Sequence, residues 1–234
     1  MPVLSDTRSA QASRINVRTI ACTGMLCAIA YVVMFLSKTI FAPLAVAGFL
    51  TFDLKDVVIA IGGFIFGPLN ALAISLVVSL IEMVTVSGTG PVGLLMNVLA
   101  TISFVCPAAF LYKRRHQVSS AVFGLVLGGL LMTGVMLLWN YLITPLYLNL
   151  PREKVAEMLI PAFLPFNLIK ALMNGALTML LYKPVVMALR KARLVPEEDR
   201  SAGAHRKGRL SVTIIAVIAL ATAVLLGLVL AGVI

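Results

Sequence analysis

The chain has 234 residues, of which 61% are hydrophobic and only 12% charged, with a mean hydropathy of +1.06. A soluble domain of this size does not need so much apolar surface, so the composition fits a polytopic membrane protein and excludes a soluble fold. The net charge of +10 resides mainly in three basic clusters, which makes it a signal of membrane topology rather than of nucleic-acid binding.

The apolar runs are continuous, not alternating, which predicts an all-α transmembrane bundle instead of a β-barrel. Residues 1–18 form a polar, basic arm with Arg8, Arg14 and Arg18. Helix one is expected from about Thr19 to Leu36, too long and unpunctuated for a cleaved signal peptide. Its residues Ala21, Gly24 and Ala28 include a small-xxx-small spacing that lets another helix approach closely. Ser37 to Phe52 reads as an apolar outer loop that lies at the membrane surface or covers a pocket as a lid. Asp53, at its end, is placed to cap the next helix.

Helices two and three are expected over 54–66 and 70–86, joined by the inner turn Gly67-Pro68. Helix two is short for a span, hence tilted or shielded by protein. Glu82 lies near the outer end of helix three, as an interfacial carboxylate or part of a polar pocket. The turn 87–91 leads to helix four, about 92–112, which carries Asn97. Lys113, Arg114 and Arg115 mark the inner loop. Glycine-rich helix five, about 120–142, ends at Trp139-Asn140-Tyr141, where the aromatic residues suit a membrane interface. An outer segment, 143–164, has room for a short surface helix at 152–159.

Helix six begins at Pro165-Phe166-Asn167 and continues to about Leu189. Asn167, Lys170 and Asn174 fall at i, i+3 and i+7 and share one face. Such groups are expensive in a bilayer unless they meet a partner, a ligand or water. Lys170 could snorkel and the amides could join helices, but a planar polar ligand between helices accounts for all three. A basic linker, 191–209, precedes an almost purely aliphatic seventh helix over 210–234. The organisation is therefore a basic arm, a membrane domain over 19–190, the linker and one additional helix. The basic clusters place the N-terminus in the cytoplasm and the C-terminus outside.

No P-loop motif and no His/Glu/Asp metal cluster is present. Cys22, Cys27 and Cys106 have no ligand spacing and read as small packing residues, while His116 and His205 fall in basic loops. Neither a Ser/His pair nor a buried acid relay is apparent, so the chain reads as non-enzymatic and without an energy source of its own.

Phe52-Asp53-Leu54-Lys55-Asp56, Phe66-Gly67-Pro68, Trp139-Asn140-Tyr141 and Leu164-Pro165-Phe166-Asn167-Leu168-Ile169-Lys170 carry a family pattern. Over about 19–190 the chain resembles the riboflavin-binding type of substrate-binding S component of energy-coupling factor (ECF) vitamin transporters. The resemblance implies riboflavin near the outer face, held by Asn140, Asn167 and Lys170. It also implies that the face of helix one around Gly24 and Ala28 docks on a transmembrane coupling subunit served by two cytoplasmic ATPases. Helix one carries a mixed Ala/Gly/Cys/Thr face where the family has an alanine repeat, and helix seven is additional to the six-helix pattern.

Flavin chemistry suits these residues. Asparagines offer a donor and an acceptor to an amide-like ring edge, Lys170 can donate to oxygen, and Leu, Met and Phe can cover the rings. The expected ligand-binding set is Asn140, Asn167, Lys170, Asn174, Asn97, Glu82 and Asp53, with Asp53 near the ribityl chain and Glu82 as a possible partner of Lys170. Ala21, Gly24 and Ala28 are the expected docking set. No cofactor or metal is expected, riboflavin being the transported ligand. Substituting Asn167 by Leu or Lys170 by Ala is expected to weaken flavin binding while leaving folding near normal. Alternatives are an S component for another vitamin such as thiamine, a stand-alone secondary transporter, or an anchoring protein.

Overall fold

In hydrocarbon a backbone must close its hydrogen bonds within itself, so each apolar run becomes a helix. The computed structural model describes residues 17–46, 50–192, 194 and 206–232. Its helices are α1 (Val17–Phe41), α2 (Lys55–Phe66), α3 (Pro68–Thr85), α4 (Gly90–Arg115), α5 (Val118–Leu148), α6 (Arg152–Met158), α7 (Leu164–Lys191) and α8 (Arg206–Leu230). Among the described residues there is no strand, only one antiparallel bridge between Val46 and Leu50. The fold is an all-α membrane bundle of six helices plus one, with α6 as a short helix between α5 and α7. Residues 1–16 of the basic arm and most of the linker, His205 included, lie outside the described residues, and α1 takes in the last two residues of the arm.

Six helical segments among the described residues are long and apolar enough to cross a bilayer, and α2 is not one of them. Its 12 residues rise roughly 18 Å, short of a hydrocarbon core about 30 Å thick. It is shielded as expected, because Lys55, Asp56, Val57, Ile59 to Phe64 are all buried among α1, α3, α4 and α7. The turn into α3 needs glycine: Gly67 has φ 97°, and a Cβ there would also lie 3.1 Å from Lys113 Nζ. Gly128 serves a close approach instead. A Cβ on it would stand 2.0 Å from the Phe104 carbonyl oxygen, so glycine lets α4 and α5 touch along their backbones.

Two helices outrun their expected ends. α1 continues to Phe41 because the polar groups at Ser37 and Lys38 find partners inside the bundle. Ser37 donates to the Met34 carbonyl at 3.0 Å and accepts from the Leu54 amide at 3.1 Å, while Lys38 pairs with Glu82. α5 runs through Pro145 to Leu148, and the left-handed Asn149 ends it. A proline removes one helical donor, a loss that neighbouring packing tolerates in a membrane helix. The expected surface helix is present as α6. Asp53 is not a helix cap: Leu54 holds that position without a side-chain bond, and the Asp53 carboxylate is engaged elsewhere.

The main core joins α1 to α5 through Leu26, Ala30, Ile59, Ala71, Ile74, Phe104 and Met132. A second cluster, at the end holding the α1–α2 connection, gathers Leu50, Phe52, Phe163, Phe166, Ile169, Met173 and Ala223. Antiparallel succession of the helices puts the connections α1–α2, α3–α4 and α5–α7 at this same end. The Gly67 and His116 turns sit at the other. His116 is exposed, Cys22 and Cys27 are buried, and Cys106 is half-buried.

Candidate functional site

A cavity of about 500 Å³ opens at the end formed by the α1–α2 and α3–α4 connections, within the range of small-molecule sites. Its apolar wall comprises Met96, Met132, Met136, Trp139 and Phe166. Asn97, Asn140, Asn167 and Lys170 project from α4, α5 and α7 onto it, and Asp53 reaches it from the segment before α2. Five of the seven expected ligand residues therefore meet around one space. The other two, Glu82 and Asn174, do not line it.

Glu82 is fully buried beneath the cavity floor. Its carboxylate accepts from Lys38, from Lys55 Nζ at 2.6 Å and from Asn97 Nδ2 at 3.0 Å. Asn174 donates to the Asp53 carbonyl and to the Lys170 carbonyl, both at 3.1 Å. It therefore ties α7 to the segment before α2. Lys170 is not partnered by Glu82, as the sequence allowed, but by Asp53 Oδ2 at 2.8 Å. Asp56 is buried one turn deeper and accepts from Thr101 Oγ1 at 2.6 Å.

Three lysines thus face three acids: Lys38, Lys55 and Lys170 against Asp53, Asp56 and Glu82. A charge at this depth is tolerated only when paired: Lys38 and Lys55 meet Glu82, Lys170 meets Asp53, and Asp56 has the Thr101 hydroxyl as its hydrogen-bond partner. The network fixes Lys170 from below, so its ammonium meets the cavity in one direction. Asp53 Oδ1 and Asn174 Oδ1 are buried acceptors with no hydrogen-bond partner among the described residues. Asp53 borders the cavity, and its Oδ1 is a buried acceptor that no described residue satisfies.

The amides are held by their own helices. Asn140 Nδ2 donates to the Met136 carbonyl at 2.7 Å, and its Oδ1 accepts from Thr144 Oγ1 at 2.8 Å. Asn167 Nδ2 donates to the Phe163 carbonyl at 2.8 Å. Each amide spends one N–H on this anchoring and keeps its second, a set that can match a planar donor–acceptor edge. Behind Phe166 lies Phe52, with ring centroids 4.6 Å apart.

Sequence reasoning missed Lys38, Lys55, Asp56 and Thr101 as supports. The signal was present: three lysines and three carboxylates occur at one depth of an apolar chain, where a lone charge needs a partner. It also missed the methionine wall, since Met96, Met132 and Met136 are apolar residues among many others.

Ala21, Gly24 and Ala28 lie exposed along one face of α1, and a Cβ on Gly24 would meet nothing within 4 Å. Among the described residues no group of three or more His, Cys, Asp or Glu is disposed to hold a metal ion.

Comparison with known proteins places this geometry in a family. Residues 18–182 match the model of the ECF transporter substrate-specific component. The riboflavin transporter RibU of Staphylococcus aureus is 32% identical, covering 72% of this chain and 90% of its own. The riboflavin transporter FmnP of Bacillus subtilis is 30% identical, covering 81% of this chain and all of its own. The solved structure described as the S component of a bacterial ECF transporter superposes with a TM-score of 0.62 at 28% identity, covering 74% of this chain and 98% of that one. The chain is a multi-pass bacterial membrane protein, and it belongs to the substrate-specific components of ECF transporters.

Proposed function

We propose that this protein binds riboflavin in the cavity between α4, α5 and α7, as the substrate-binding subunit of an ECF-type importer. The observation that carries the reading is the cavity itself. It combines flat apolar walls of Met, Trp and Phe with Asn97, Asn140, Asn167 and Lys170 at its polar edge. An isoalloxazine has the same division, an apolar tricycle with one edge of alternating donors and acceptors. Two relatives at 30% identity or more are named riboflavin transporters, which supports the same ligand.

Asn140 and Asn167 hydrogen-bond the ring edge through their unspent amide groups, and Lys170 donates to a ring or ribityl oxygen. The free oxygen of Asp53 accepts from a ribityl hydroxyl. Asn97 contributes a polar contact at the cavity floor. Glu82 and Asn174 act from behind, Glu82 by holding Lys38, Lys55 and Asn97, and Asn174 by holding Asp53 and Lys170. Riboflavin is cargo, and the family is one of transporter components, so no residue has a catalytic role.

The exposed small face of α1, Ala21, Gly24 and Ala28, receives the transmembrane coupling subunit, and two cytoplasmic ATPases supply the energy. The basic clusters set the N-terminus inside and the C-terminus outside, which opens the cavity outward. Titration of riboflavin with detergent-purified protein tests the reading. Saturable quenching of flavin fluorescence at one flavin per chain, relieved in Asn140→Leu and Asn167→Leu, is the expected result. Absence of quenching by the wild-type protein rejects it.

A further inference from the structure

The family match ends at residue 182, and α8 lies wholly beyond it. One side of α8 is exposed, with Ile215 64%, Ile218 60% and Leu225 57% accessible, which suits lipid. The opposite side packs along α7, with Ala216 buried, and toward its C-terminal half it also reaches the segment before α2. Leu220, Ala223, Gly227 and Leu230, spaced three or four residues apart, form a single stripe. Ala223 is buried in the cluster of Leu50, Phe52, Phe163 and Phe166, against which Leu220 and Leu230 also pack. A Cβ on Gly227 would stand 3.9 Å from both Phe52 and Ile169.

Phe52 links this stripe to the cavity in two ways. Its ring lies against Phe166, a wall residue, and its backbone leads directly into Asp53, the partner of Lys170. The segment carrying it has few other restraints. Among the described residues these are the Val46–Leu50 pair, the Leu54 amide on Ser37, the Leu54 carbonyl accepting from the Val57 amide, the contacts of Asp53, and the edge-on contact of Phe52 with Phe41 at 6.2 Å. A short segment with so few bonds opens easily unless side-chain packing holds it.

We propose that α8 is a positioning element of the ligand site. Its stripe at Leu220, Ala223, Gly227 and Leu230 seats Phe52, and Phe52 in turn holds Phe166 and Asp53 against the bound molecule. The inference rests on the riboflavin reading only for the identity of that molecule. Small residues at 223 and 227 are required because they let α8 come within van der Waals reach of the Phe52 ring. α8 thereby keeps residues 50–54 in place and slows ligand release, while the polar contacts stay unchanged.

The test uses the full chain in detergent. Ala223→Leu and Gly227→Leu wedge α8 away from Phe52, the double variant Leu220→Ala/Leu230→Ala removes contact without added bulk, and Gly227→Ala is the conservative control. Hydrogen exchange of the peptide covering 50–54 is read without ligand, and flavin dissociation is read by fluorescence recovery during a chase. Exchange in this peptide is expected to rise in both Leu variants and in the double Ala variant, with α3 and α4 unchanged and Gly227→Ala like wild type. Dissociation is expected to accelerate about tenfold, with association changed less than about threefold.

Unchanged exchange in the double Ala variant overturns the idea that α8 holds the segment, even if the Leu variants prove poorly folded. Raised exchange with unchanged dissociation shows the segment loosened without consequence for the site, and overturns the positioning role. Failure of wild type to bind riboflavin rejects the functional reading instead, and the exchange arm still decides whether α8 seats Phe52.

Discussion

The Lys170–Asp53 pair allows stability and binding to be separated. Lys170→Met removes the ammonium 2.8 Å from Asp53 Oδ2 and leaves a carboxylate that is 2% exposed without its partner. Breaking a buried ion pair from one side costs about 3–5 kcal/mol, because the surviving charge stays desolvated. At roughly 2–4 °C per kcal/mol for a chain of this size, melting of the ligand-free protein should fall by about 6–20 °C. Asp53→Leu should fall similarly, since it strands Lys170. The double variant Lys170→Met/Asp53→Leu removes both charges and should recover most of the loss, giving a coupling energy of about 4–8 kcal/mol in the cycle. The assay is thermal aggregation read by size-exclusion chromatography with fluorescence detection. Equal, additive losses in the two single variants and no recovery in the double would refute the pair as a buried, mutually dependent unit. The double variant should still bind riboflavin poorly, because both polar contacts are gone.

Other expectations follow from the same geometry. Asn167→Leu keeps side-chain volume and removes one amide, so riboflavin affinity should drop about 10- to 100-fold, for about 1–3 kcal/mol, with melting nearly unchanged. Glu82→Gln leaves Lys55 and Lys38 without their carboxylate and should destabilise the apo protein by about 3 kcal/mol or more, read in the same melting assay. Gly128→Ala pushes a methyl into the Phe104 carbonyl and should cost about 1–3 kcal/mol through separation of α4 and α5, with affinity following as the cavity wall shifts.

Much of this was legible in the sequence because a membrane allows few solutions. Continuous apolar runs fixed seven helices, Gly67-Pro68 marked a turn that only a positive φ permits, and the spacing of Asn167, Lys170 and Asn174 put them on one face. Errors arose where polar residues were judged by local sequence alone. Ser37 and Lys38 look like the end of a helix, yet Glu82, more than 40 positions away, satisfies Lys38 and lets α1 continue. Asp53 has the appearance of a cap, yet it bonds a lysine 117 positions later. Lys170 looked like a ligand contact, with Glu82 as its possible partner, whose loss would spare the fold. With Asp53 as its buried partner, substituting Lys170 should instead lower stability and affinity together. Long-range pairing has no periodic signature; only the equality of lysines and acids at one depth hinted at it. The role of α8 was equally hidden, since an aliphatic helix reads as a lipid anchor until its small residues are seen against Phe52.

The most direct measurement is the absorbance spectrum of detergent-purified protein expressed without added vitamin, followed by denaturation and analysis of any released chromophore. The geometry predicts flavin bands at about one riboflavin per chain, shifted from those of free riboflavin by the apolar walls. A colourless protein that also leaves the fluorescence of added riboflavin unquenched would contradict the account at its centre.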